Sequence, residues 1–333
     1  MTRLALLIVV LCLLACSGPA TPAPVTPALA AGGRDEPVQL WSDASIFGLV
    51  GRLIGSAQKR VLVEMYELGR SDVVRALGAA RKRGVDVRVI TDPTVAQSRR
   101  SSVKLDGLGV PERVYPVDDG RHQIDHVKLL IADGEAAVGG MNWGSHSDRN
   151  HDYVLETRVP TEIDWLVRIF EQDWSLAGGQ PAPLSPADGE IAQTAPGSEI
   201  RAMLSRALVH ARQRVLAEVY TLTDPELLAE LVAAKRRGVT VRVLLDPNQA
   251  YNRHGYAVLR AAGVDARWYP IPKGALLHAK IGLFDAELVL GSANWTLSGL
   301  GTNHELDIET GDLRTVTAFA TRFDADWELA AGG

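Results

Sequence analysis

Apolar positions along the chain fall into two repeating rhythms. In "EIRAMLSRALVHARQ", Ile200, Met203, Leu204 and Leu208 recur at three- and four-residue spacing, which predicts an amphipathic helix. A β-rich run such as Val61-Leu62-Val63 follows the corresponding helix in the first half and predicts a strand. A second helix is expected where Leu227, Leu228, Leu231 and Val232 share one side. It ends at Gly238 with basic residues in its last turn. "VTVRVLLD" then predicts a strand closed by Asp-Pro. Strand, helix and strand in this order imply a right-handed crossover and a mainly parallel sheet.

The rhythm occurs twice. "RVLVEMYEL" at 60–68 matches "RVLAEVYTL" at 214–222, and "RGVDVRVITDP" at 83–93 matches "RGVTVRVLLDP" at 237–247. "GVPERVYPV" at 109–117 matches "GVDARWYPI" at 263–271, all at one offset of 154 residues. One register over so many segments marks a duplicated α/β unit. Pro- and Ala-rich stretches set the limits, since such composition buries no core. A tether is expected at 17–36 and a linker at 179–190, with units at 37–178 and 191–333.

The opening "MTRLALLIVVLCLLACSG" places an apolar run from Leu4 to Leu14 behind one Arg. A bilayer span needs about 20 apolar residues, so the run fits a secretory signal over 1–16 instead. Leu13-Leu14-Ala15-Cys16 resembles a bacterial lipoprotein signal, which implies a lipid on Cys16 and an exported, lipid-anchored protein of the bacterial cell envelope. The other cysteine, Cys12, lies inside the signal, so no disulfide is expected in the mature chain. A net charge of -5 over 333 residues disfavours indiscriminate binding to duplex DNA and leaves room only for a local basic groove.

The candidate chemistry sits in "HVKLLIADGEAAVGGMN" at 126–142 and "HAKIGLFDAELVLGSAN" at 278–294. Each reads as a strand, a short turn and a returning strand. Side chains two apart on a strand share a face, which puts His126 with Lys128, His278 with Lys280, and Ser292 with Asn294. Gly139 and Gly291 stand where backbone can approach a ligand. A lone His on a strand is most often structural. Two complete sets argue otherwise, because two buried cations repel unless an anion lies between them. A phosphodiester fits two Lys, two Asn and two His. One neutral imidazole attacks phosphorus, the opposite one protonates the leaving alcohol, and Lys128, Lys280, Asn142 and Asn294 stabilise the phosphoryl oxygens.

These motifs resemble the phospholipase D superfamily, whose hallmark is a pair of HxKxxxxD motifs, each with a downstream Gly-Ser-x-Asn. Here they read His126, Lys128, Asp133 with Gly139-Gly140-Met141-Asn142, and His278, Lys280, Asp285 with Gly291-Ser292-Ala293-Asn294. The resemblance covers about residues 38 to 330 and implies two fused α/β/α sandwiches related by a pseudo-twofold axis. It also implies a metal-independent phosphodiesterase without cofactor, with His126 as nucleophile and His278 as acid. Ser292 joins Lys128, Asn142, Lys280 and Asn294 as a phosphate ligand, and Asp152 and Glu305 are the carboxylates that orient the catalytic His residues.

Several residues carry open readings. Asp133 and Asp285 belong to the signature, yet a role as turn anchors is favoured for them. Glu64 and Glu218, inside apolar strands, read as paired structural carboxylates. His151 and His304 stand either at a rim or as plain loop residues, and Trp143 and Trp295 either line the cleft or pack in the core. A metal centre is disfavoured by the Lys beside each motif His and by the lack of zinc-type spacing. The expected substrate is a phospholipid headgroup phosphodiester, hydrolysed through a phosphohistidine. An envelope nuclease and a phosphatidyl transferase of cardiolipin synthase type are the alternatives. A monomer is expected because both half-sites lie in one chain. "SRR" at 98–100 and Arg149 keep the nuclease reading open, while "RKR" at 81–83 and "KRR" at 235–237 read as helix ends.

Overall fold

The computed structural model describes residues 36–180 and 190–330. The expected signal, Cys16 and nearly all of the tether and linker lie outside these residues. No helix among the described residues is long and apolar enough to cross a membrane.

The first half runs β1 (Val38–Ser42), α1 (Ser45–Ser56), β2 (Arg60–Met65), α2 (Ser71–Lys82), β3 (Asp86–Thr91), α3 (Ala96–Gly107), β4 (Glu112–Val114), β5 (Lys128–Ala132), β6 (Glu135–Gly139), β7 (Tyr153–Thr157) and α4 (Pro160–Ala177). The second runs β8 (Ile191–Thr194), α5 (Glu199–His210), β9 (Arg214–Val219), α6 (Pro225–Arg236), β10 (Thr240–Leu245), α7 (Asn252–Ala261), β11 (Asp265–Trp268), β12 (Lys280–Phe284), β13 (Glu287–Gly291), β14 (Glu305–Thr310) and α8 (Leu313–Leu329). Each half forms one seven-stranded sheet, ordered β1-β7-β6-β5-β2-β3-β4 and β11-β10-β9-β12-β13-β14-β8.

The expected helices form as the spacing requires, with Ile200, Met203, Leu204 and Leu208 buried on α5 and Leu227, Leu228, Leu231 and Val232 buried on α6. Gly238 ends its helix at φ +91°, a conformation that favours glycine. The expectation of mainly parallel sheets is corrected. Only β2–β3–β4 and β9–β10–β11 pair in parallel; every other neighbour is antiparallel. The cause is local. Two-residue turns at Asp133-Gly134 and Asp285-Ala286 join β5 to β6 and β12 to β13, and so short a connection permits only antiparallel pairing.

Alternation along β2 and β9 divides the core. Val61, Val63 and Met65 pack beneath α1 and α2 in one cluster, and Val215, Ala217 and Val219 do the same in the second half. Leu62 and Leu216 face the other way, into a third cluster that contains residues of α4, α8 and both sheets. The two halves thus share one apolar centre. Glu64 and Glu218 point by the same parity into that shared region.

The basic segments cap helices, as expected. Arg83 donates to the carbonyls of Ile54 and Ala57, Arg81 to that of Gly109, and Arg237 to that of Leu208. Ser98 is buried and donates to the Tyr66 carbonyl, while Arg99 donates to Pro93.

Candidate active site

The catalytic strands are short, and each motif His sits two residues before its strand begins. Reciprocal backbone bonds lock these segments across the halves. His126 N donates to the His304 carbonyl at 2.8 Å and His304 N to Ile124 at 2.9 Å; His278 N donates to His151 and His151 N to Leu276, both at 2.8 Å. Both imidazoles are thereby brought to the seam, buried at 5% exposure each.

Each is held by a carboxylate of the opposite half. His126 Nδ1 lies 2.9 and 3.1 Å from the two carboxylate oxygens of Glu305, and His278 Nδ1 lies 2.7 Å from Asp152 Oδ2. A carboxylate at Nδ1 fixes the tautomer with its proton there and leaves Nε2 as the acceptor; in His278 that nitrogen meets Lys280 Nζ at 3.1 Å. Asp152 and Glu305 thus stand where orienting carboxylates are expected, but crossed over: each meets the His of the other copy.

The two braces are unequal. Ser292 Oγ donates to Glu305 at 2.6 Å and accepts from Leu306 N, and Asn303 Nδ2 donates to Glu305 at 3.1 Å. Ser292 is fully buried, so its hydroxyl is committed to Glu305; this corrects its expected role as a phosphate ligand. At the matching position stands Gly140. A Cβ there would fall 2.4 Å from Asp152 Oδ1, so the glycine is what lets the shorter carboxylate reach His278.

Lys128 and Lys280 each bend back to the carbonyl of the motif His two residues before, and each ammonium stands 5.1 Å from a ring centre, of Tyr66 and Tyr220 respectively. Burial pushes Lys128 down to about 7 and Lys280 down to about 8, helped in Lys128 by the charge of Lys280. Burial and then the nearby lysines lower both imidazoles, His278 to about 3 and His126 well below the usual range. Burial also raises Glu305 to about 7. Burial is the main cause of all these shifts, and the mutual repulsion of the buried cations adds to it in Lys128 and the two imidazoles. The carboxamide oxygens of Asn142 and Asn294 are buried without a hydrogen-bond partner.

Asp133 and Asp285 do not join this set. They sit at the far ends of β5 and β12, roughly 16 Å of strand away. Asp133 accepts from the amides of Gln58, Lys59 and Arg60, and Asp285 from those of Arg212, Gln213 and Arg214. Both hold left-handed turns, at φ 53° and 56°. Their place among the catalytic residues is corrected to that of hairpin anchors, since five residues of strand separate the two ends of the motif. Trp143 and Trp295 are 3% and 1% exposed and belong to the core.

His151 and His304 are corrected more sharply. Neither is a rim or plain loop residue; both are buried and pass into the opposite half. His304 lies 3.2 Å from Asp173 and 3.4 Å from Glu64, with its ring stacked on Tyr115. His151 contacts Asp43 at 2.7 Å and Glu218 at 2.8 Å and stacks on Tyr269. Although burial opposes it, the surrounding carboxylates raise both imidazoles, His151 to about 10. His304 with Glu64 and Asp173, and His151 with Glu218 and Asp326, bring ligand atoms within 4.8 Å of one another, as a metal site would. As imidazolium–carboxylate pairs they bind the halves instead; near the second, Arg322 adds bonds to Asp326 at 2.7 Å and Asp43 at 3.0 Å. The only signal in the sequence was the repeated Asn-His before each orienting acid, which carries no information about burial.

A family profile described as "Cardiolipin synthase, PLD-like domain" matches residues 50–174 and again 204–327. The chain belongs to the phospholipase D superfamily. Cardiolipin synthase A of Pseudomonas syringae is 26% identical over 85% of the chain and 67% of its own length. The human mitochondrial cardiolipin hydrolase is 31% identical over 40% of the chain, which spans 52% of that relative. Among solved structures, the phosphatidylserine synthase of Haemophilus influenzae superposes with a TM-score of 0.69 at 13% identity, over 91% of this chain and 88% of that one. That likeness is one of fold: two sandwiches in one chain about a pseudo-twofold axis.

Proposed function

We propose that the protein cleaves phospholipid headgroup phosphodiesters through a phosphohistidine. The observation that carries this is the pair of opposed imidazoles, each oriented at Nδ1 by a carboxylate from the other half, with two buried lysines beside them. His126 has the more fully braced carboxylate and is assigned as nucleophile. Its Nε2 forms a bond to phosphorus as the bond to the leaving oxygen breaks, and His278 gives that oxygen its proton. Water then attacks phosphorus, His278 takes a proton from it, and the P–N bond breaks. His278 is held neutral in the free site by burial and by Lys280. The phosphodiester anion offsets the ammonium charge, so the proton is taken up with the substrate. One chain carries both half-sites and suffices for the reaction.

A second reading is phosphatidyl transfer, in which an alcohol replaces the water. The family profile and the cardiolipin synthase relatives favour it. Both share the first half-reaction and differ only in the acceptor.

The test offers the purified chain, in EDTA, mixed phospholipid vesicles with some ethanol and, in parallel, single-stranded DNA. Headgroup release or phosphatidylethanol is expected, falling by at least ~10²-fold in His126→Ala and His278→Ala. DNA cleavage without lipid turnover would move the protein to the nuclease branch. Activity abolished by EDTA and restored by a metal would sink the mechanism.

A further inference from the structure

The repeat builds a buried His–carboxylate cluster twice, and the two copies differ in charge. Around His151 stand Asp43, Glu218 and Asp326, with Arg322 bound to two of them. Three carboxylates there meet two cations. Both ring nitrogens of His151 are taken up, Nδ1 by Asp43 at 2.7 Å and Nε2 by Glu218 at 2.8 Å. Around His304 stand Glu64 and Asp173, and the backbone of Asp125 pairs with that of His304. Burial, with the charges of Asp173 and Asp125, raises the Glu64 carboxyl well above the usual range. Three carboxylates here meet one imidazole.

The sequence shows what became of the second cation. Asp173-Trp174 aligns with Asp326-Trp327 at an offset of 153, so the counterpart of Arg322 is Ile169. Ile169 precedes Asp173 by one helical turn, as Arg322 precedes Asp326, and is buried in the shared apolar cluster. Both oxygens of Glu64 are buried without a hydrogen-bond partner, as are Asp125 Oδ2 and His304 Nδ1. Glu64, Asp173 and His304 are each 0% exposed. A carboxylate buried in this way is costly unless a cation meets it.

The spacing points to the kind of cation. His304 Nε2 lies 3.2 Å from Asp173 Oδ2 and 3.4 Å from Glu64 Oε1. The second distance is long for a hydrogen bond. A tetrahedral zinc ion with bonds of about 2.0–2.1 Å sets its ligand atoms about 3.3 Å apart, close to both spacings. Glu64 Oε2 offers a fourth donor. An imidazole with two carboxylates suits a first-row divalent ion, whereas magnesium and calcium take oxygen donors. The His151 cluster has the same three ligand types, but there an incoming metal ion would be repelled by the fixed guanidinium of Arg322.

We propose that His304, Glu64 and Asp173 form a structural site for a divalent metal ion of zinc type, which clamps His304 of the second half to the first half. With protons alone both clusters are ion pairs. Only this one can exchange a proton for a metal: Nε2 of His304 releases its proton and the lone pair so freed bonds to the ion. The site stands apart from the reaction, since the catalytic imidazoles are held by Glu305 and Asp152. Its link to them is the backbone, where the His304 carbonyl accepts from His126 N at 2.8 Å. The ion therefore acts on the stability of the seam.

The test strips the untagged full chain with EDTA, dialyses it, and titrates zinc while reading bound metal and melting temperature. One zinc per chain is expected, with a rise of roughly 5 °C at about 100 times Kd. Glu64→Gln and Asp173→Asn keep the shape of each acid and should weaken binding by at least ~10-fold, the cost of losing even an outer partner of a metal. Glu218→Gln, the matched change in the arginine-filled cluster, should bind zinc as the parent does. X-ray absorption of the parent complex reads the same point without a variant. Nitrogen and oxygen neighbours at about 2.0 Å with one imidazole are expected, and two or more imidazoles would overturn the site. No zinc bound, with Glu64→Gln raising the melting temperature, would overturn the metal in favour of a proton. Zinc bound equally by all three variants would overturn the ligand set. Turnover per folded molecule that depends on zinc would overturn the structural role.

Discussion

Gly140 offers the most direct test of the crossed pairing. Replacing it with Ala adds one methyl group at a position 2.4 Å from Asp152 Oδ1 and 3.1 Å from its Cγ. The carboxylate cannot swing aside freely. Oδ1 accepts from Tyr153 N at 2.8 Å and Oδ2 meets His278 Nδ1 at 2.7 Å, so any shift strains both bonds. A hydrogen bond to a charged group is worth about 1.5–3 kcal/mol, and each 1.36 kcal/mol in the barrier is a factor of ten. Gly140→Ala should then lower phosphodiester turnover by roughly 10- to 150-fold, read as headgroup release in the vesicle assay at constant melting temperature. The double variant Gly140→Ser with Asp152→Glu rebuilds the Ser292–Glu305 arrangement in the first half and should recover most of the loss. Full activity in Gly140→Ala would refute the claim that Asp152 orients His278 through space this glycine leaves open. A loss that the double variant does not recover would refute the equivalence of the two braces.

Other expectations follow from the same geometry. Asp285→Ala should cost about 1–3 kcal/mol in denaturant unfolding, because three amides lose their acceptor, while kcat per folded molecule stays unchanged. Its carboxyl, like that of Asp133, is held below the usual range by backbone amides, against the opposing effect of burial. That stabilisation is present above the unfolded carboxylate pKa near 4 and is lost on acidification through the lowered folded value. His151 acts in the opposite sense. Its folded pKa, raised to about 10, stabilises fully below about 6.5 and is lost as pH climbs towards 10. Melting temperature should fall across that window, with Glu218, raised by burial, adding a fall that begins near the ordinary glutamate value of 4.5. His151→Gln should flatten the upper part of the curve; an unchanged slope would exclude the imidazolium lock.

The sequence by itself determined the duplicated unit and the helices on its amphipathic runs, and it singled out the two His, two Lys and two acids that the fold brings together. These are local or periodic properties. A helix needs its apolar spacing, and a repeat at one offset needs no structure to be seen. The reading of Asp133 and Asp285 as turn anchors was also local, since a residue at the end of a strand and before a turn has that use wherever the strand lies. Only the tertiary structure decided how the copies meet. Glu305 against His126, Asp152 against His278, and His304 and His151 buried against the opposite half are contacts between residues 126 to 240 positions apart, or 67 for His151 with Glu218. Pattern within either half is silent about such contacts, because docking is set by the shared apolar cluster and the seam's backbone bonds. The same holds for Ser292. Its sequence position suggested a phosphate ligand, and its burial against Glu305 made it a brace, since a hydroxyl whose donor and acceptor are already spent has nothing left to offer a substrate.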